Sequence, residues 1–193
     1  MTTLNPLPLA ACLLSTALGV SAPPPAVASP AAPAAVLRDG AHDFDFNVGT
    51  WKTHIRRVAE PFSGDPRGTE LNGTVTVHKI WDGRGQVEEI EADGPKGHWE
   101  GLTLFVYNPQ ARQWTQAFID SSDGVVSTPV IGEFHDGRGE LYAQESFRGR
   151  TVLIRATWSD IKPDSHHFQE DLSADGGRSW VPAFVAELTR VAP

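Results

Sequence analysis

Thr69-Glu70-Leu71-Asn72-Gly73-Thr74-Val75-Thr76-Val77-His78-Lys79-Ile80-Trp81, followed by Asp82-Gly83-Arg84-Gly85 and then by Gln86 to Ala92, decides the fold. Thr74-Val75-Thr76-Val77 alternates polar with apolar side chains, and period two places successive side chains on opposite faces of an extended strand. Asp82-Gly83-Arg84-Gly85 breaks the alternation with two glycines, which take the positive φ that tight hairpin turns need. Strand, turn and strand in so short a span make an antiparallel hairpin.

The same grammar extends in both directions. Upstream, Trp51 to Val58 alternates as a strand. Downstream, strands are predicted over Trp99 to Tyr107, Gln113 to Asp120, Val125 to Phe134, Glu140 to Phe147, Arg150 to Asp160, His166 to Ser173 and Trp180 to Val191. Turn residues separate them: Asn108-Pro109-Gln110, Ser121 to Gly124, a second Asp-Gly-Arg-Gly at Asp136 to Gly139, Arg148-Gly149, Lys162-Pro163-Asp164 and Asp175-Gly176-Gly177. No window carries a helical period of useful length. Ten strands joined by short links form a meander, and closing it into an up-and-down barrel removes two unpaired edges. At about ten strands such a barrel has room for a ligand. A two-sheet sandwich is the rival, but it usually needs longer crossovers than these.

Phe44-Asp45-Phe46-Asn47-Val48-Gly49-Thr50-Trp51 resembles the opening of a bacterial family of calycin-like, or lipocalin-like, barrels of unknown function. Lys79-Ile80-Trp81-Asp82-Gly83, Tyr107-Asn108-Pro109 with Trp114, and Asp175-Gly176-Gly177 before Trp180 are similar too. The resemblance spans about Ala41 to Val191. It implies a barrel and implies no activity. It also implies that Trp51 of Gly49-Thr50-Trp51 closes one barrel end and that Arg190, near the end of the last strand, packs across it. A guanidinium stacked on an indole would seal the floor and join the chain ends.

The chain has 193 residues and a formal net charge of −8, and all its charged residues lie from Arg38 onward. Such a surface repels duplex nucleic acid and anionic membranes on average. Residues 1–28 have the apolar run Pro6 to Ala22 and the small-residue triplet Ala26-Val27-Ala28 of a secretory signal, although no Lys or Arg precedes the run. Export to the periplasm or beyond is the expectation; a disordered Ala/Pro tail on a cytoplasmic protein is the alternative. Residues 29–40 read as an Ala/Pro linker and 41–193 as the barrel domain. Cys12, the one cysteine, sits in Leu9-Ala10-Ala11-Cys12, which resembles a lipoprotein box but has the apolar run continuing past it. A mature chain without cysteine has no disulfide, thiolate metal site or thiol nucleophile.

Candidate site residues are polar side chains on otherwise apolar strand faces. Gln116 lies between Trp114 and Phe118, Glu145 between Ala143 and Phe147, and Glu170 between Phe168 and Leu172. If those faces point inward, Gln116, Glu145 and Glu170 line a lumen with Trp114. A buried carboxylate needs a partner, for which Arg155, Arg57 or His54 are the candidates. The cluster either orients the polar head of a ligand or forms a structural network inside a filled barrel. Glu89, Glu91 and Asp93 share one strand face about 7 Å apart, a spacing that suits acid/base work, but a solvated outer face explains them better. No histidine pairing suits a metal, and neither metal nor cofactor is expected; His54 could face the lumen, as in the haem-binding nitrobindin branch of the calycins, though nothing specific points there. Ser173 to Trp180 matches an Asp-box, a structural turn that carries no glycosidase activity.

Three functions follow from these residues. The first is a module that binds a small, mostly apolar ligand in the lumen. The second is an enzyme acting there, by haem-dependent isomerisation or acid/base catalysis. The third is a filled barrel used for protein interaction. The binding module is the reading adopted, with no partner beyond a small molecule.

Overall fold

Alternation of apolar and polar side chains turns into alternation of burial along Gly49–Arg57, Gly85–Gly94 and Gly97–Asn108 above all, giving the sheet one buried face on which it closes. The computed structural model describes residues 38–65 and 67–192. Ten strands follow one another: β1 (Gly49–Arg57), β2 (Thr69–Ile80), β3 (Gly85–Gly94), β4 (Gly97–Asn108), β5 (Gln113–Asp120), β6 (Val130–His135), β7 (Arg138–Phe147), β8 (Arg150–Ser159), β9 (Ser165–Ser173) and β10 (Val181–Arg190). Each pairs antiparallel with the next, and β1 pairs with β10, from Trp51 opposite Arg190 to Arg57 opposite Phe184. The result is a closed up-and-down barrel, so the sandwich is excluded.

The tight turns are built as their residues dictate. Asp136-Gly137 and Arg148-Gly149 both take positive φ (51° and 76° in each pair), the two-residue geometry whose twist matches the flanking strands. One expected strand is shortened. Val125 to Phe134 narrows to Val130–His135, and β5 and β6 pair over only three positions, from Trp114 opposite Gly132 to Gln116 opposite Val130. Pro129 has no N–H to give a ladder, and the segment before it touches β5 only through the Ile119–Val126 bridge and Ser127. Three short 3₁₀ turns, at Asp45–Asn47, Pro61–Ser63 and Trp81–Gly83, are the helical elements among the described residues. No helix there is long and apolar enough to cross a membrane.

The leader, its cleavage triplet and Cys12 fall outside the described residues. Residues 38–40, read from the sequence as the end of a linker, already pack on the barrel. The Tyr107 hydroxyl donates to Asp39 at 2.8 Å and accepts from the Gly40 N–H at 3.1 Å, and Trp114 Nε1 donates to the Gly40 carbonyl at 2.9 Å.

Candidate functional site

One end of the barrel is plugged by the chain that precedes β1. Phe44 is fully buried there and its ring contacts Phe105, Trp114, Phe134 and Trp158 at centroid distances of 4.7–5.5 Å. Its backbone is tied as well, because Gln86 Nε2 donates to the Phe44 carbonyl at 2.8 Å. Beside this plug the Arg190 guanidinium lies 3.9 Å over the Trp51 ring. It donates to three backbone carbonyls: Phe46 and Val48 at 2.9 Å each, and Pro163 at 2.8 Å. Gly49 is required at this point. Its φ is +127°, and a Cβ there would come within 2.5 Å of Arg190 Nη1. The guanidinium therefore ties the entry of β1 and the loop before β9 to the end of β10.

Above the plug lies a cavity of about 650 Å³, open to solvent at the opposite end. The loop after β1, the β3–β4 hairpin and the loop after β5 surround its mouth. Its walls are mostly apolar, with Ile55, Ile90, Phe118, Phe168, Phe184 and Leu188 prominent. The lumen is not a filled core, and its volume falls within the roughly 300–1,000 Å³ of small-molecule sites.

Polar groups interrupt this lining. Glu88 points inward from β3, where Thr103 donates to it at 2.8 Å and Asn47 Nδ2 at 3.2 Å; burial raises its pKa, against the lowering by these two bonds. Gln116 Oε1 accepts from Trp158 Nε1 at 3.0 Å. Thr53 Oγ1 is buried with no hydrogen-bond partner and lines the same cavity. Glu145 on β7 and Glu170 on β9 also line it, and neither hydrogen-bonds to another described residue. Burial pushes Glu170 up to about 7, and the negative charges of Glu145 and Asp171 add to the shift.

The mouth is paired differently. Arg57 lies 4.8 Å over the Trp99 ring and donates to Asp120 at 2.7 Å, while Trp99 Nε1 donates to the same carboxylate at 2.9 Å. Burial would raise Asp120, but donors from Ser122, Trp99 and Arg57 outweigh it and hold the carboxyl at about 2.

The predicted site residues separate into three groups. Gln116, Glu145 and Glu170 reach the cavity. Trp114 does not: its ring is buried in the plug beneath, against Phe44 and Tyr107. Arg155 and His54 face outward, which corrects their placement as lumen partners. Arg155 alternates with the inward Ile154 and Ala156, pairs with Asp171 at 2.8 Å and lies 4.4 Å over Trp180. His54 alternates with the inward Thr53 and Ile55 and meets Asn72 at 2.9 Å and Glu70 at 3.0 Å. Glu89, Glu91 and Asp93 are exposed on the outer face. Asp175 organises its turn, accepting from Ser173, Arg178 and Ser179, and those bonds lower its pKa strongly. No group of three or more His, Cys, Asp or Glu side chains among the described residues could hold a metal ion.

Sequence reasoning passed over Glu88, Thr103, Thr53 and the Arg57–Asp120–Trp99 cluster. Glu88 had a signal: it is in phase with Ile90 and Ala92, on the face opposite Glu89, Glu91 and Asp93. It passed over His166 too, buried among the rings of Phe46, Trp51 and Trp158, with burial lowering it to about 3.

Comparison with known proteins agrees with the fold. Residues 42–190 match the family described as "Protein of unknown function (DUF1579)". No curated protein matches the sequence. Among solved structures, the S-type phycobiliprotein lyase of Guillardia theta is similar, with 13% identity, a TM-score of 0.53, and coverage of 78% of this chain and 91% of that one. A de novo designed fluorescence-activating β-barrel gives 16% identity and a TM-score of 0.42 over 80% of this chain and all of that one. EF1p2_mFAP2b bound to DFHBI gives 8% identity and a TM-score of 0.45 over 79% and 99%. At 13% identity the likeness to the lyase is one of fold.

Proposed function

The chain belongs to the DUF1579 family, and we propose that it is a binding protein that takes a small, mostly apolar ligand into the barrel lumen through the open mouth. The supporting observation is the cavity itself: about 650 Å³, walled by aromatic and aliphatic side chains, with the Glu170 carboxyl in it lacking a hydrogen-bond partner among the described residues. An apolar chamber with few convergent polar groups favours an apolar ligand body and one polar end. Glu145, Glu170 and the free Thr53 hydroxyl are the groups offered to that end; Gln116, held by Trp158, shapes the wall.

Native mass spectrometry of protein purified from its source tests this reading. The expected result is a mass above that of the chain by one small organic molecule, lost on denaturation. A bare mass, together with no uptake of an apolar fluorescent probe such as N-phenyl-1-naphthylamine, would refute it. Acid/base catalysis in the same chamber is the second reading, favoured by a carboxyl held at about 7 beside open space. We further propose that the barrel works after export, on the strength of the signal-like residues 1–28.

A further inference from the structure

We propose that the lumen selects amphipathic amines, meeting the ammonium end with the inward carboxyls of Glu145 and Glu170 and the hydrocarbon body with the aromatic wall. This inference rests on the binding function proposed above and names the chemistry of the ligand.

The balance of charge along the cavity carries it. Six ionisable side chains line the space: Arg57, Glu88, Lys96, His98, Glu145 and Glu170. The three cationic or potentially cationic ones belong to the mouth. Arg57 is paired with Asp120 at 2.7 Å, and His98 faces Asp93 at 3.0 Å and Glu100 at 3.9 Å. Lys96 sits in the exposed β3–β4 hairpin. Inside, all three are carboxyls, and only Glu88 is hydrogen-bonded by the protein, through Thr103 and Asn47. Glu145 and Glu170 therefore share an enclosed space with no guanidinium or ammonium of the chain committed to either. Like-charged carboxyls lining one enclosed space disfavour a further anion there and favour a cation. A carboxylate-headed ligand such as a fatty acid would find no free Arg or Lys among the described residues to meet it inside. An ammonium would find carboxyl acceptors on two walls, Glu145 on β7 and Glu170 on β9.

A second, independent feature points to a ligand in the same space. Thr53 is 4% exposed, lines the cavity, and its Oγ1 has no partner, although buried hydroxyls are ordinarily satisfied. The formal net charge of −8 also draws cations toward the molecule.

The test uses the full chain with N-phenyl-1-naphthylamine as a neutral fluorescent probe at pH 8. Decylamine, decanol and decanoate compete for it, so that the tail is constant and only the head changes. Decylamine is expected to displace the probe at a concentration at least tenfold below that of decanoate, with decanol between them. In the double variant E145Q/E170Q, each competitor being read against that variant's own probe affinity, the amine and the carboxylate should compete within about threefold of each other. E170Q alone gives the same comparison if the double variant fails to fold. Probe uptake with decanoate competing as well as decylamine would overturn the amine selectivity and leave the binding function standing. An unchanged amine preference in the variants would overturn the assignment to Glu145 and Glu170. Failure of the probe and all three competitors to bind would sink the binding function, and this inference with it.

Discussion

Replacing Glu170 by Gln should make this protein more stable in alkali than the natural chain, by an amount that depends on pH in a calculable way. Glu170 ionises near 4.5 when unfolded and near 7 in the barrel, chiefly because the cavity removes it from bulk water and secondarily because Glu145 and Asp171 repel its charge. Between those values the folded state keeps a proton that the unfolded state has lost. The folded state binds more protons, so stability falls as pH rises across the window and levels off above it. The upward shift from 4.5 to about 7, at about 1.36 kcal/mol per unit, places the loss at up to about 3 kcal/mol. Glutamine has nearly the same shape and no charge, so E170Q removes this loss. Urea unfolding of both proteins at pH 4, 6 and 8 isolates it, because the pH dependence of groups not coupled to Glu170 cancels in the difference. The stability of E170Q relative to the natural chain should rise from pH 4 to pH 8 by about 2–3 kcal/mol. A difference that stays constant across that range, or that falls, would refute the argument that Glu170 is desolvated without a compensating cation.

The remaining expectations concern the floor and the outer face. Arg190→Ala removes three carbonyl hydrogen bonds and the stack on Trp51, and should lower stability by about 3–5 kcal/mol in thermal or urea melts, whereas Arg190→Lys should restore less than half of it because a compact ammonium cannot lie flat on the indole and spread its donors over carbonyls on separate backbone segments. Phe44→Ala empties the centre of the plug and should cost about 3–5 kcal/mol by the same assay; a cost below about 1 kcal/mol would mean that the segment before β1 does not hold the floor. His54→Ala, on the outer face, should leave probe affinity within twofold and stability within about 0.5 kcal/mol, and a large loss of affinity would place that side chain at the ligand after all.

Much of the fold was legible because two signals agree at each step. Alternation marks the strands, and residues that tolerate positive φ mark the turns, as at Asp136-Gly137 and Arg148-Gly149. Closure was legible from the meander's two unpaired edges, and the contact of Arg190 with Trp51 was implied by the family resemblance; β1 and β10 do pair there. The shortened β6 was not, because the apolar run Val125 to Ile131 contains a strand-like pattern that Pro129 interrupts only through its missing N–H. The plug was half legible: Phe44 and Phe46 are conspicuous, but nothing in their spacing tells that they fold back beneath the strands and bury Trp114.

The site was legible only where a polar residue breaks an apolar face, and the reason is geometric. Along β9, Phe168, Glu170 and Leu172 point one way, so Glu170 declares itself. Along β8 the same test placed Arg155 ambiguously, because Leu153 stands beside it on the outer face. The inward face, Val152, Ile154, Ala156 and Trp158, is the fully buried one, and a strand's period of two leaves Arg155 no choice. Once Arg155 is outside and bound to Asp171, the guanidinium left on the inward phase of that wall is Arg150, which is exposed at the rim and lies 5.6 Å over the Phe62 ring. Arg57, at the mouth, is turned to Asp120 by Trp99 beneath it. The interior acidity thus follows from strand phase on two walls and an ion pair at the mouth. Among the described residues no cation pairs with Glu145 or Glu170, and that is why the proposed ligand carries one.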